Sequence, residues 1–204
     1  MKKHTLTILF VLTMGASLCQ NLDSLLLLHY PFSGNANDAS GNGFHGTVYN
    51  ATPADDHHGN PNQAYYFNGI DSYIEFPNNY ILKPPLPLSI SLWIKIEDSA
   101  DSNTRALTTS YSIDSYNGIL LATHGPVGTG YGDGTPNNTG PESRRSKVGT
   151  TTLELNQWYF IIIIIRGPQD MDIYVNCEND GGTYSGTGGS LSYNSSQDAW
   201  EDMT

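Results

Sequence analysis

Apolar residues in this chain come in short runs separated by polar, glycine-rich stretches, and no run carries a sustained helical period. The strongest run, Trp158 to Arg166, holds five consecutive isoleucines. β-Branched side chains are stiff at χ1 and suit a pleated sheet, which predicts a strand through Ile161–Ile165. The run lacks alternation, so it is expected to be buried on both faces, as the central strand of a sandwich core. Gly167-Pro168-Gln169-Asp170 should turn the chain into a second strand, Met171 to Asn176, apolar at Met171, Ile173 and Val175. Leu88 to Ile96 alternates cleanly: Leu88, Ile90, Leu92, Ile94 and Ile96 share one face, and Trp93 lies on the other with Ser89, Ser91 and Lys95.

Weaker runs predict the remaining elements. Leu22 to Phe32 is read as the first strand and Phe44 to Tyr49 as the second, with a polar loop over Asn50 to Asn62. Ala64–Asn68 and Tyr73–Phe76 are read as a hairpin through Gly69–Ser72. Leu107–Ile113, Asn117–His124, Lys147–Leu155 and Ser190–Asn194 complete the set, with a glycine-rich loop over Gly181–Gly189. Gly125 to Ser146 holds no strong strand pattern, and an irregular stretch of that length in a compact domain is expected to be functional or disordered. Short strands with Gly, Pro and Asn turns about every ten residues imply an all-β sandwich or jelly roll.

Length adds that one domain is expected from the 204 residues. Met1 to Cys19 has the layout of a secretory signal: Lys2 and Lys3, an apolar Leu6–Leu12, then Ser17 and Cys19 before a cut ahead of Gln20. Residues 1–19 are therefore assigned as signal peptide and 20–204 as the domain, secreted or at the cell surface, with no membrane insertion after cleavage. The mature chain would carry 7 basic and 20 acidic residues, a net charge of −13. That balance argues against nucleic acid, whose phosphates need a basic footprint, and is compatible with glycans, cations or plain solubility. Cys177 would be the sole remaining cysteine, so the fold must rest on its core rather than on disulfides.

Three stretches resemble the laminin-G-like, concanavalin A-like jelly rolls of secreted bacterial proteins. The first is LLLHYPFSGNANDASGNGFHGTV, residues 25 to 48, where Tyr30, Phe32, Asp38, Ser40, Gly41, Asn42, Gly43 and Gly46 match the family pattern. The second is AYYFNGIDSYIEFP, residues 64 to 77, and the third is SISLWIKI followed downstream by NQWYFIIIIIRGPQDMDIYVN. The resemblance covers roughly residues 24 to 193 and implies a sandwich of two antiparallel sheets. Two departures stand out. Cys177 replaces the glycine expected after Ile173-Tyr174-Val175-Asn176, so that turn is expected to differ or to be strained. No counterpart of the family's closing strand follows Ser190, which suggests a truncated reading frame and an unpartnered Leu25–Tyr30 edge.

Candidate chemistry is sparse. Concanavalin A-like glycosidases carry carboxylates on alternate positions of one strand, about 5 Å apart for a retaining mechanism. Glu154 has no such partner, and Asp170 and Asp172 flank a turn. No G-x-S-x-G or phosphate-binding glycine loop is present. Asp38, Asn42 and Asp71 are hard oxygen donors in loops and are the candidate calcium ligands, with Asx-turn capping as the competing role. Asp55-Asp56-His57-His58 is expected to be solvated rather than metal-binding. Glycan binding needs exposed aromatics with polar neighbours on a concave face or rim. The candidates are Trp93, Tyr111, Tyr116, His124 and Tyr131, with Arg144 and Arg145 shaping the site. The expected function is a non-catalytic binding module for carbohydrate or a cell-surface or matrix protein, assisted by calcium. The alternatives are an accessory or catalytic domain of an extracellular polysaccharide-degrading enzyme and a structural spacer in a larger surface protein.

Overall fold

A computed structural model describes residues 25–97, 105–109, 115–136 and 141–193, and the signal-peptide assignment and Tyr111 lie outside this set. The chain forms strands β1 (Thr47–Tyr49), β2 (Thr52–Ala54), β3 (Ala64–Tyr66), β4 (Tyr73–Glu75), β5 (Leu88–Lys95), β6 (Arg105–Thr109), β7 (Ser115–Tyr116) and β8 (Ile119–Thr123). There follow β9 (Pro126–Gly132), β10 (Thr135–Pro136), β11 (Arg144–Thr152), β12 (Trp158–Gly167), β13 (Asp170–Val175), β14 (Glu178–Asn179) and β15 (Thr183–Ser185). Two antiparallel sheets dominate, one in the order β15-β11-β9-β8-β6 and the other β14-β13-β12-β5. Their inner faces meet in one cluster that joins Ile119, Leu121, Val127 and Tyr131 of the first sheet to Ile94, Tyr159, Met171, Ile173 and Val175 of the second. This is the all-β jelly-roll sandwich that the strand pattern and the resemblance imply.

The isoleucine strand lies inside its sheet, between β13 and β5. Its burial alternates, contrary to the expectation of two buried faces. Ile161, Ile163 and Ile165 are 0% exposed, whereas Phe160, Ile162 and Ile164 are only half-buried. The reason is geometric: successive side chains point to opposite faces, and only one face meets the other sheet. On the outer face Ile162 and Ile164 stand opposite Ser91 and Ser89 of β5. Each inner isoleucine contributes roughly 2–3 kcal/mol through burial.

The turn after β13 keeps its tight form despite Cys177. Val175 pairs with Glu178, so only Asn176 and Cys177 make the connection, at φ 51° and 69°. Both are left-handed, as a two-residue hairpin of this twist requires.

Several expected elements differ. Residues 25–33 form no β-strand. Their backbone groups are satisfied by side chains of the following loop instead of a ladder. The Asn42 amide donates to the carbonyls of Leu26 and Leu27, the Ser40 hydroxyl donates to Leu27 O, and His29 N–H donates to Asp38. β3 and β4 do not form the expected hairpin: β3 pairs with β2, and β4 with β1. Asn68 explains this, because its Oδ1 accepts the N–H groups of Ile70, Asp71 and Ser72 and the Ser72 hydroxyl. These bonds close residues 68–72 into a self-contained loop rather than a ladder turn.

The largest difference is in the 125–146 stretch. Val127-Gly128-Thr129-Gly130-Tyr131-Gly132 lies in β9, an interior strand between β8 and β11. Ser190–Tyr193 forms no strand. Ser192 is instead wedged into the rim of the sheet, donating from N to Gly132 O and accepting from Gly118 N–H.

Candidate functional site

β9 lines a groove on the outer face of the first sheet. Its odd positions point inward: Val127, Thr129 and Tyr131 are 0%, 3% and 2% exposed. Its even positions, Gly128, Gly130 and Gly132, therefore face outward and carry no side chain. The register sets Gly128 opposite Val148, Gly130 opposite Ser146 and Gly132 opposite Arg144. The result is a channel of about 210 Å³ with Gly128 and Gly130 in its floor, Leu120, Ala122, Ser146 and Val148 alongside, and His124 and Arg144 also lining it. Four residues of strand separate Gly128 from Gly132, roughly 13 Å at ~3.3 Å per residue.

Gly130 and Gly132 are needed for packing. A Cβ at Gly130 would come within 2.7 Å of Arg145 O, and one at Gly132 within 2.1 Å of Tyr116 O. Gly128 differs: a Cβ there would meet Val148 Cγ2 at 3.5 Å and Lys147 O at 3.7 Å, both ordinary contacts.

Cations concentrate on the neighbouring strand. Arg144 is exposed and its guanidinium lies over the Tyr116 ring, 4.8 Å from the centroid. Arg145 and Lys147 alternate to the inner face, opposite Tyr131 and Thr129. Lys147 Nζ donates to Met171 O at 2.7 Å, which ties the two sheets together. Arg145 donates to the carbonyls of Pro168 and Gly186 and lies over the Tyr184 ring. Among the described residues, the ion pairs use Lys95 and Arg166, and none uses the three cations of β11.

Three of the five residues expected to bind ligand gather here. His124 is exposed beside the groove, and Tyr116 supports Arg144. Tyr131 lends only its backbone to the channel, because its ring is in the core. Burial pushes its hydroxyl pKa up, against a lowering influence from Arg145. Trp93 is on the other sheet. It is 44% exposed on the outer face, as the alternation of β5 predicts. His57 stacks on it at 3.8 Å, nearly parallel, and Phe160 lies 5.1 Å away. Both neighbours compete with a sugar for the indole faces, so Trp93 is not an open platform. The same contact corrects the expectation that the 55–58 loop is merely solvated.

Of the candidate calcium ligands, Asp38 and Asn42 share one network through Ser40, and Asp71 sits in another. Asp38 Oδ1 accepts from His29 N–H and Ser40 N–H, and its Oδ2 accepts from the Ser40 hydroxyl and Phe44 N–H. Burial favours the neutral acid. The bonds from Ser40, His29 and Phe44 outweigh it and hold the carboxyl below the usual carboxylate range. Asp71 accepts from the amides of Asn50 and Asn68. Asn42 spends its amide nitrogen on Leu26 and Leu27. Calcium takes six to eight oxygens, and this donor set does not converge to supply them. Among the described residues there is no group of three or more His, Cys, Asp or Glu placed to hold a metal. Of the acids weighed as catalytic, Asp170 and Asp172 do not flank the turn but lie at alternate positions of β13, where both pair with Arg166, and Glu154 is exposed.

The glycine floor and Ser146 were missed as site elements in the sequence. The available signal was the period-2 pattern V-G-T-G-Y-G, in which β-favouring residues alternate with glycine. The profile of the family described as the Concanavalin A-like lectin/glucanases superfamily matches residues 67–200. No curated protein matches the chain, and no solved structure does.

Proposed function

The chain belongs to the concanavalin A-like lectin/glucanase superfamily, and from that membership we propose a non-catalytic carbohydrate-binding module that holds its ligand in the glycine-floored groove of β9. At the level of the superfamily, a carbohydrate-binding or adhesion-type module is supported; such domains commonly bind glycans or proteins and are often extracellular. The finer reading rests on one observation. Two outward glycines in an interior strand, Gly128 and Gly130, leave a flat strip flanked by the polar groups of His124, Ser146 and Arg144. Glycine costs strand stability relative to a β-branched residue; close packing accounts for Gly130 and Gly132, whereas Gly128, where a Cβ would fit, needs another use. Close approach of a chain-like ligand to the backbone is that use, with the flanking polar groups supplying orientation.

The non-catalytic reading is supported by the ion pairing of Asp170 and Asp172 with Arg166, which leaves them engaged rather than facing a substrate. Secretion or surface display fits the apolar leader-like residues 6–12. Among the described residues no helix is long and apolar enough to cross a membrane.

Pull-down of the purified protein on a panel of insoluble polysaccharides tests this reading. Gly128→Leu fills the floor where space exists, so it should leave thermal unfolding nearly unchanged and weaken binding by about tenfold or more. Retention that Gly128→Leu does not alter would place the site elsewhere. Release of soluble sugar by the wild type, abolished by Glu154→Gln or Asp172→Asn, would favour an enzyme. Retention on no glycan in the panel would favour the spacer reading.

A further inference from the structure

We infer that the groove selects an acidic polysaccharide, one whose sugar units carry carboxylate or sulfate groups, through the exposed guanidinium of Arg144 and the positive field of β11. The inference rests on the reading of the groove as a carbohydrate site and adds the charge of the ligand.

The chain has 20 acidic residues against 9 basic ones, so a random surface patch is expected to be negative. The groove is not. None of its lining residues is Asp or Glu, whereas Arg144, Arg145, Lys147 and His124 all contribute to it. Three of the nine Lys and Arg residues thus fall within four consecutive positions of one strand. None of the three has a carboxylate partner among the described residues.

Each plays a different part. Arg144 stands on the outer face opposite Gly132, and its stacking on Tyr116 orders the guanidinium at the end of the strip. A planar guanidinium with free N–H groups matches a carboxylate or sulfate two bonds at a time. Lys147 and Arg145 are turned inward onto backbone carbonyls. Those carbonyls satisfy their hydrogen bonds but bring no net negative charge, so both cations act as a fixed positive field behind the floor. In a groove with low-dielectric walls such a field is concentrated toward the ligand. A neutral glycan gains hydrogen bonds from Arg144 but nothing from the positive field. A polyanion gains a directed contact at Arg144, although it must overcome the overall negative charge of the protein.

Affinity electrophoresis of the purified protein tests the inference. Gels are cast with alginate, with dextran sulfate, with unmodified dextran or with polyphosphate, and wild type is run beside Arg144→Gln and Gly128→Leu. The expected result is retardation by alginate, by dextran sulfate or by both, and none by dextran. Retardation should fall about tenfold in Arg144→Gln and weaken from low to high salt. The stronger acidic gel identifies the group as carboxylate or sulfate. Arg144 is exposed, so its variant should unfold at the wild-type temperature, and Gly128→Leu checks the groove through a different residue. Retardation by dextran alone would overturn the acidic ligand while leaving the carbohydrate reading intact. Retardation by no polysaccharide would overturn both. Acidic gels that retard Arg144→Gln like wild type would overturn the role of β11, and equal retardation by polyphosphate would reduce the effect to charge alone.

Discussion

Single residues carry backbone geometry here that their identity alone does not favour. Cys177 holds φ 69° in the β13–β14 turn, next to Asn176 at φ 51°. A non-glycine residue in the left-handed region costs about 1–2 kcal/mol, and a side chain with no packing role returns little of it. Cys177 is exposed and unbonded to another cysteine. Cys177→Gly would create the Asn-Gly pair that suits this two-residue turn. It is expected to raise stability by roughly 1 kcal/mol, read as a higher denaturation midpoint in urea with an unchanged slope. A lower midpoint would show that Cys177 is not strained. Asp180 shows the opposite case, a residue whose burial is fully compensated. It is 8% exposed and accepts from the N–H and hydroxyl groups of both Thr150 and Thr151. These bonds satisfy β11 where its register with β9 shifts between Val148 and Thr152.

At the scale of elements, the hydrophobic pattern named the strands that pack and misjudged those that do not look hydrophobic. The β12–β13 hairpin and β5 were legible because isoleucine runs and clean alternation leave few other conformations. β9 is hidden in the sequence because glycine usually marks a turn, and its alternating valine, threonine and tyrosine are a weaker signal than the glycines between them. Leu22–Phe32 erred in the other direction, since an apolar run predicts a strand only if its backbone finds a ladder partner. The alternation of β12 itself invites a test. Ile163→Ala removes a fully buried side chain and is expected to cost about 2–5 kcal/mol. Ile164→Thr keeps a β-branched residue on the half-buried face and should cost well under that. Chemical denaturation of the two variants checks the difference, and equal losses would mean that the outer face is covered as completely as the core.

The whole molecule brings together residues that lie far apart in sequence. Asp38 and Asp71 read as calcium ligands when each is considered alone, because acidic loop residues are what that ion uses. In the folded chain, protein donors from His29, Ser40 and Phe44 surround one, and the amides of Asn50 and Asn68 hold the other. Thermal unfolding in millimolar calcium and in chelator is therefore expected to give the same midpoint. An ion that binds only the native state must raise it, so a clear rise with calcium would reveal a site formed by other groups. His124 and Arg144 make the converse case, brought to one channel by the order β11-β9-β8, with Tyr116 of β7 against the Arg144 guanidinium.

The sequence by itself determined the fold class, the core hairpin and the outward placement of Trp93, because these follow from side-chain stiffness and a two-residue period. Tertiary structure decided which strands pair, which face of β12 is dry, and that Arg145 and Lys147 turn inward while Arg144 turns out. It also decided that Gly128 and Gly130 line up as a floor. Those outcomes depend on register between strands remote in sequence, and a shift of one residue would send each of these side chains to the opposite face.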